Sequence, residues 1–121
     1  MQIYTSYYGA MRRLPADITP ISISVSRPKF FEGLTYPLLA PKWSMVSDYK
    51  ADGDTQKYTE RFKREILSVL NPNQVAAELA TLAQNDKVCL LCYEKTGDFC
   101  HRNIVAEWFR KAGINCTEFQ R

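Results

Sequence analysis

Glycine and long apolar runs are scarce in this sequence, and what is missing excludes several classes of protein. The chain has five glycines and one histidine in 121 residues. No apolar run approaches the roughly 20 residues that a membrane-spanning helix needs. The N-terminal stretch MQIYTSYYGAMRR does not resemble a secretory signal. Glycines do not precede Lys95-Thr96, which excludes a Walker-type phosphate loop. We expect a cytoplasmic protein with no membrane partner.

The chain also has a small net charge and a single C-x-x-C pair of cysteines. The net charge of +3 is too small to indicate a nucleic-acid binder. Of the four cysteines, Cys89 and Cys92 form a C-x-x-C pair that lies inside the apolar run KVCLLCY. A zinc ribbon needs a second such pair, and a thioredoxin-type pair sits at a helix start. We therefore expect reduced thiols, as is usual in the cytoplasm.

The remaining composition is that of a globular protein. Apolar residues make up 45% and charged residues 24% of the chain, and we expect one domain over residues 1–121. Apolar periodicity then predicts the elements. The predicted strands are residues 2–8, 18–26, 87–93 and 114–119, and the predicted helices start at Asp54, Asn71 and His101. This order predicts a small three-layer α/β domain, Rossmann-like or flavodoxin-like, with a mainly parallel sheet.

Residues 27–53 have no clean helical or strand period. The stretch contains three prolines and two glycines among large apolar residues. A long connection of this kind is usually a binding loop or a lid. We expect it to cover one edge of the core.

The stretch LLCYEKTGDFCHRNIVAEWF joins the third predicted strand to a helix. Ligands of open α/β sheets bind at the carboxyl ends of strands, so this junction is the candidate site. Glu94, just past the strand, has the chemistry of a general acid, a general base or a nucleophile. His101, at the helix start, should be neutral and able to accept a proton. Cys100 would be activated by helix amides if it lies at the cap position.

Arg102 and the amides at the start of the same helix favour an anionic ligand. The alternative is that Arg102 pairs with Glu94 or Asp98 and fixes the loop. A buried carboxylate beside an arginine is a common structural latch.

Metal binding at this junction is disfavoured by spacing. Cys92, Cys100 and His101 are of ligand type, but adjacent residues rarely converge on one ion, and a fourth ligand is not evident. We expect no metal, and the sequence specifies no cofactor.

The segment LLCYEKTGDFCHRNIVAEWFRKAGI resembles the signature of the domain of unknown function 488 (DUF488) family. Members have a strand ending in Cys-x-Glu, a short acidic loop, and Cys-His-Arg at the start of a helix. The matching positions here are Cys92, Glu94, Cys100, His101 and Arg102. The chain is similar to the compact form of the family, often encoded by phages and bacteria. The resemblance implies the fold and the place of the site.

Two elements depart from the longer family members. Those members tend to have Asp-x-Arg after the second strand, whereas residues 25–27 here read VSR, so the arginine is present and the acid is missing. They often have a Gly-His-Ser turn after the first strand, whereas residues 6–9 here read SYYG. The resemblance therefore does not carry over a mechanism that needs that acid or that histidine.

These observations support an enzyme hypothesis. Glu94, with His101 or Cys100, would transfer a proton or attack as a nucleophile. The residues expected to bind substrate are Arg27, Arg102, Tyr7, Tyr8 and Cys92, and Tyr49 is a further aromatic candidate nearby. A nucleotide-like or other anionic small molecule suits this set, and a nucleic-acid end is compatible with it.

Two alternatives remain open from the sequence. The same site would also suit a non-catalytic binder of a nucleotide signal or a nucleic-acid end. In the second alternative the cluster is a purely structural motif that joins loop to helix. The sequence does not specify the reaction, the substrate or the oligomeric state.

Overall fold

Parallel strands form the sheet of this protein. The computed structural model describes residues 1–95 and 97–120. The strands are β1 (Gln2–Tyr7), β2 (Thr19–Ser22), β3 (Leu34–Thr35), β4 (Lys87–Cys92) and β5 (Asn115–Glu118). The described residues form a five-stranded sheet in the order β3-β2-β4-β1-β5, and each neighbouring pair is parallel. The predicted α/β, Rossmann-like fold with a mainly parallel sheet is confirmed.

The described helices lie between the strands in chain order. The α-helices are α1 (Trp43–Asp52), α2 (Thr55–Glu65), α3 (Pro72–Ala83) and α4 (His101–Lys111). Three short 3₁₀ helices cover Tyr8–Arg13, Pro37–Leu39 and Leu67–Val69. Within the described ranges, no helix combines the length and the apolar character needed to cross a membrane.

Polar side chains start two of the helices as predicted. The Asp54 side chain accepts a hydrogen bond from the Lys57 amide at 3.0 Å, which caps α2. The Asn71 side chain accepts from the Gln74 amide at 3.1 Å, and Pro72 follows in the first turn of α3. Such caps satisfy amides that have no partner inside the helix.

β4 is the centre of the sheet. It pairs with β1 on one side and with β2 on the other, and residues 88–92 are all buried. Val88 and Leu90 belong to one core cluster, whereas Cys89 and Leu91 belong to the cluster on the opposite face. A strand covered on both faces has a continuous apolar sequence, as KVCLLC does.

The two faces of the sheet are covered by different structures. The larger core cluster contains side chains of all four α-helices, among them Met45, Phe62, Leu79 and Phe109. The smaller cluster is built from the first 3₁₀ helix and Phe31. Crossovers between parallel strands are right-handed, so the direction of travel across the sheet decides the face that each connection covers. From β1 the chain passes to β2 and then to β3 at one edge of the sheet. It then returns to β4 at the centre and ends in β5 at the other edge.

Residues 27–53 contain regular structure that the sequence pattern did not predict. β3, the second 3₁₀ helix and α1 all lie there. α1 starts without a side-chain cap, and among its described residues Met45 is the buried one. A helix with so small a buried face has no clear apolar period, which explains why it was missed. The predicted second strand was also too long, since β2 ends at Ser22.

Candidate functional site

A cavity of about 350 Å³ opens at the carboxyl edge of the sheet, between β2 and β4. The connections that follow these adjacent strands cover opposite faces of the sheet. Open α/β sheets form their ligand crevices at such points. The described lining residues are Ser24, Val25 and Ser26 after β2, Pro41, Trp43, Val46, Tyr49 and Lys50 of α1 and its approach, Tyr58 of α2, and Cys92, Tyr93, Glu94, Phe99, Cys100 and His101.

Aromatic rings form much of the cavity wall. The ring centroid of Phe99 lies 5.2 Å from that of Tyr49 and 5.3 Å from that of Tyr58. Trp43 is 63% exposed and Tyr93 is 48% exposed, so both present ring surface to solvent at the opening. Flat apolar faces arranged in this way suit a planar ring, because offset and edge-to-face aromatic contacts are favourable.

Two side chains of opposite charge border the cavity. Glu94 and Lys50 are both exposed lining residues. The Lys50 ammonium lies 5.8 Å from the centre of the Trp43 ring, within cation–π range. Burial, and then the negative charge of Glu94, raise the pKa of Tyr58, which keeps that hydroxyl protonated. The wall therefore offers a carboxylate, an ammonium and a phenol to a ligand.

His101 lies at the inner end of the cavity and is 6% exposed. Its Nε2 atom lies 2.8 Å from the carbonyl oxygen of Ile23. A carbonyl oxygen only accepts, so Nε2 carries the proton, and Nδ1 has the lone pair of the neutral ring. Burial lowers the pKa of His101 to about 4, and this outweighs the raising effect of the Ile23 bond. His101 is therefore neutral at pH 7, as expected from its helix position.

Cys92 at the end of β4 and Cys100 at the cap of α4 are joined by a disulfide in this structure. Both are buried lining residues, and the Cys100 sulfur lies 3.7 Å from His101 Nδ1. The structure differs here from the expectation of reduced thiols, because the fold places the end of the central strand against the start of α4 and brings the two sulfur atoms together. Cys89 and Cys116 are free and buried in the core.

Arg102 lies in the interior, 1% exposed, and is not among the described lining residues. Its Nε and Nη2 atoms donate to the two carboxylate oxygens of Glu118 at 3.1 and 2.9 Å. Its Nη1 atom donates to the Cys92 sulfur at 3.1 Å and to the backbone oxygen of Glu94. This arrangement is a latch between β4, α4 and β5. The predicted substrate-binding role of Arg102 does not fit it, and the predicted carboxylate partners were also wrong.

Three further residues that we expected to bind substrate lie around the cavity and outside its described lining. Arg27 is exposed and follows the lining residue Ser26. The Tyr7 hydroxyl accepts a hydrogen bond from Arg13 at 3.1 Å. The buried Tyr8 hydroxyl bonds with the hydroxyls of Ser22 and Ser24, each at 2.6 Å. Tyr8 therefore supports the turn after β2 and does not face the hollow directly.

The structure brings together five of the residues that the sequence placed at or near the site and adds others. The cavity is lined by Cys92, Glu94, Cys100, His101 and the aromatic candidate Tyr49. The sequence analysis did not assign Trp43, Lys50, Tyr58, Tyr93 or Phe99 to the site. Trp43 and Lys50 belong to α1, which was not predicted. Tyr58 lies in the helix predicted to start at Asp54, but the sequence does not show that this helix packs beside the end of β4.

Comparison with known proteins identifies the family of this chain. A family model described as the active DUF488-N3 subclade matches residues 4–113. No curated protein and no solved structure matches the chain. The matched region contains every lining residue and the whole Cys-x-Glu…Cys-His-Arg segment. The chain therefore belongs to the DUF488 family, in its DUF488-N3a group.

Proposed function

We propose that this protein is an enzyme that acts on a nucleotide-like substrate, with Glu94 as the proton-transferring or nucleophilic group. One observation carries the proposal. Glu94 is an exposed carboxylate in the wall of an aromatic-lined hollow at the carboxyl edge of the sheet. That position is where open α/β folds bind and convert their ligands.

The hollow has the size and lining for a nucleobase. Its volume of about 350 Å³ lies within the usual range for small-molecule sites. The rings of Trp43, Tyr49 and Phe99 offer flat faces on which a base would stack. Stacking tolerates different bases, so base identity would be read by the few polar atoms nearby, such as the Ser24 hydroxyl and the Tyr58 hydroxyl.

The charges on the rim suit the anionic part of a nucleotide. Lys50 projects from the α1 side of the wall and would pair with a phosphate. The exposed Arg27, next to the lining residue Ser26, would approach the same phosphate from the β2 side. Arg102 has no part in this grip, because Glu118 and Cys92 occupy its guanidinium.

Glu94 would perform the chemistry at the base or at its sugar. A carboxylate at that place can accept a proton from a water that attacks the substrate. It can also attack the sugar carbon that bears the base, which breaks the carbon–nitrogen bond and releases the base, and water then hydrolyses the sugar ester and restores the carboxylate. His101 supports the site from below, with Nε2 fixed on Ile23 and Nδ1 turned toward the Cys100 sulfur. In the reduced protein without a bound metal ion, Cys100 would be a second nucleophile within reach of the hollow. The description of the matched family model as an active subclade is consistent with an intact catalytic site.

The test is turnover of a panel of nucleosides, nucleotides and short oligonucleotides, followed by mass spectrometry. We expect Glu94→Gln to reduce turnover by about 10²- to 10⁴-fold, the usual contribution of a general acid or base. Asp98→Asn is the matched control. It neutralises an exposed carboxylate of the same loop that is not among the described lining residues, and turnover should be unchanged.

Other results would decide against the proposal. Full turnover by Glu94→Gln would remove that residue from the mechanism. A ligand that binds in the hollow and is recovered unchanged after long incubation would identify a non-catalytic binder. If no member of the panel is bound or converted, the nucleotide assignment is wrong.

A further inference from the structure

We propose that Cys92, Cys100 and His101 form a binding site for a single zinc-type divalent cation in the reduced protein. The three residues are buried, and their ligand atoms all lie within 4.8 Å of one another. Two thiolates and one imidazole are a donor set that zinc prefers, whereas magnesium and calcium prefer oxygen. The inference does not depend on the proposed substrate, because it concerns the side chains beneath the hollow.

The hydrogen bonds of His101 prepare it as a ligand. The Nε2 atom donates its proton to the Ile23 carbonyl oxygen across a nitrogen–oxygen distance of 2.8 Å, which leaves the lone pair on Nδ1. That lone pair is directed toward the Cys100 sulfur at 3.7 Å. Histidine ligands of metals are usually fixed in this way, through a bond from the other ring nitrogen to a backbone carbonyl or carboxylate.

Local backbone geometry explains why adjacent residues converge here. Cys100 is the cap residue of α4 and is extended, with φ −152° and ψ 146°, whereas His101 is the first helical residue. The change of conformation between them turns both side chains toward the end of β4. The sequence argument against a metal assumed that adjacent side chains diverge, and at this cap they do not.

The cysteine pair is spaced for an inserted ion. The Cα atoms of Cys92 and Cys100 are 7.6 Å apart, whereas direct disulfides usually have separations of about 4.4–6.8 Å. An ion placed between the sulfur atoms, at about 2.3 Å from each, spans a wider separation than a direct bond does.

Arg102 would stabilise the metal-bound state from outside the ligand set. Its Nη1 atom donates to the Cys92 sulfur at 3.1 Å, an interaction that favours the thiolate. The Glu118 carboxylate is bound to the same guanidinium at 2.9 Å and offsets its positive charge. The cation would therefore meet two negative sulfur atoms and a guanidinium that is already paired.

Three protein ligands leave one coordination position for the hollow. Zinc sites with three protein ligands and an open fourth position are typical of catalysis, whereas structural sites have four protein ligands. The fourth position would face the cavity that all three residues line, where Glu94 also lies. A water molecule or a substrate atom would take that position.

The metal site requires Cys92 and Cys100 in the reduced form, so the disulfide is reduced before metal is added. A phosphine reductant supplies two electrons to the Cys92–Cys100 bond, takes its oxide oxygen from water, and leaves two thiols. Binding of the divalent cation then displaces one proton from each thiol, while the imidazole is already neutral. The disulfide form has no thiolate to offer, so it serves as an internal control.

The experiment loads reduced, chelator-treated protein with zinc or cobalt(II) alone, without nucleotide and without a turnover assay. After gel filtration we expect about one metal ion per chain, the stoichiometry of a single site. The cobalt form should show thiolate-to-metal charge-transfer absorption, and zinc binding should release protons in proportion. The disulfide-bonded protein should retain no metal.

Substitutions test whether the metal binds at this site or at the other thiols of the chain. Cys100→Ser and His101→Gln should abolish metal retention and the charge-transfer band, whereas Cys116→Ala should keep both. Circular dichroism verifies the fold of each variant. A reduced, folded wild-type chain that retains no metal would overturn the proposal, and so would a cobalt spectrum without thiolate bands. Neither result would affect the nucleotide assignment, which is tested by turnover.

Discussion

Arg102 and Glu94 belong to the same sequence motif but have opposite environments. Arg102 is 1% exposed, whereas Glu94 is exposed at the cavity. The motif identified both residues but could not distinguish a latch from a functional group. The distinction depends on Glu118, which lies 16 residues beyond Arg102 in β5 and reaches it only after the sheet has formed. The location of a single residue was predictable where its position at a strand end was enough, as for Glu94 at the cavity.

Replacement of Arg102 tests the latch. Arg102→Ala should lower the free energy of unfolding by about 3 kcal/mol, because it removes one member of a buried ion pair that holds α4 to β5. Urea denaturation followed by circular dichroism measures this change. Arg110→Ala is the control, since Arg110 is exposed and donates to one backbone oxygen, that of Cys116. Arg110→Ala should lower the free energy of unfolding by less than about 1 kcal/mol. Equal losses in both variants would show that the Glu118 pair adds no stability.

Among the elements, those with strong local signals were predicted and those without them were missed. α2 and α3 have capping side chains, and β4 has a continuous apolar run. α1 lacks a side-chain cap, and β3 contains two residues. These two elements depend on contacts with the rest of the fold, which a local pattern does not contain. The missed helix also supplies Trp43 and Lys50, so the site prediction was incomplete for the same reason.

The carboxylate of Glu65 in α2 bonds to Arg61 of the same helix and to Lys42, the residue before α1. The contribution of these bonds to stability depends on pH and can be measured. The carboxylate accepts both bonds at 2.8 Å. The hydrogen bond from Arg61, and then that from Lys42, lower the pKa of Glu65 to about 2. A carboxyl whose pKa falls on folding contributes stability above its unfolded pKa, and this contribution is lost as the pH falls toward the folded value.

The corresponding variant is Glu65→Gln. Its melting temperature should lie below that of the wild type at pH 7, and the difference should shrink as the pH falls below about 4.5. Calorimetry from pH 7 to pH 3 measures this difference. Glu60→Gln is the matched control on the same helix, because its one described bond is a long contact of 3.4 Å from Gln56. A difference between wild type and Glu65→Gln that does not change with pH would contradict the pairing.

For the whole molecule, the fold class followed from the alternation of strands and helices, but the strand order did not. β4 enters the sheet between β1 and β2 rather than at an edge. This insertion depends on pairing between strand residues that are 69 or more positions apart, as in the pair of Thr19 with Val88. It also places the turn after β2 beside the junction after β4. The cavity is therefore a property of the whole sheet, and neither segment alone contains it.

Amide hydrogen exchange tests this organisation. Exchange should be slowest in β4 and β1, because both are interior strands of the sheet and residues 88–92 are fully buried. It should be much faster in β3, a two-residue edge strand. Mass spectrometry of peptic fragments measures the rates. Similar rates in β3 and β4 would show that the central strand is not the most stable part.

The origin of the cavity walls has a consequence for how such a protein can diversify. The proposed reactive groups come from one continuous segment anchored on a buried strand, whereas Trp43 and Tyr49 of the aromatic wall come from α1, in which Met45 is the buried residue among those described. Residues of α1 that face the hollow can therefore change with little effect on folding. Ligand preference would then evolve separately from the reaction, and a chimera with a foreign α1 should bind a different molecule while its chemistry is retained.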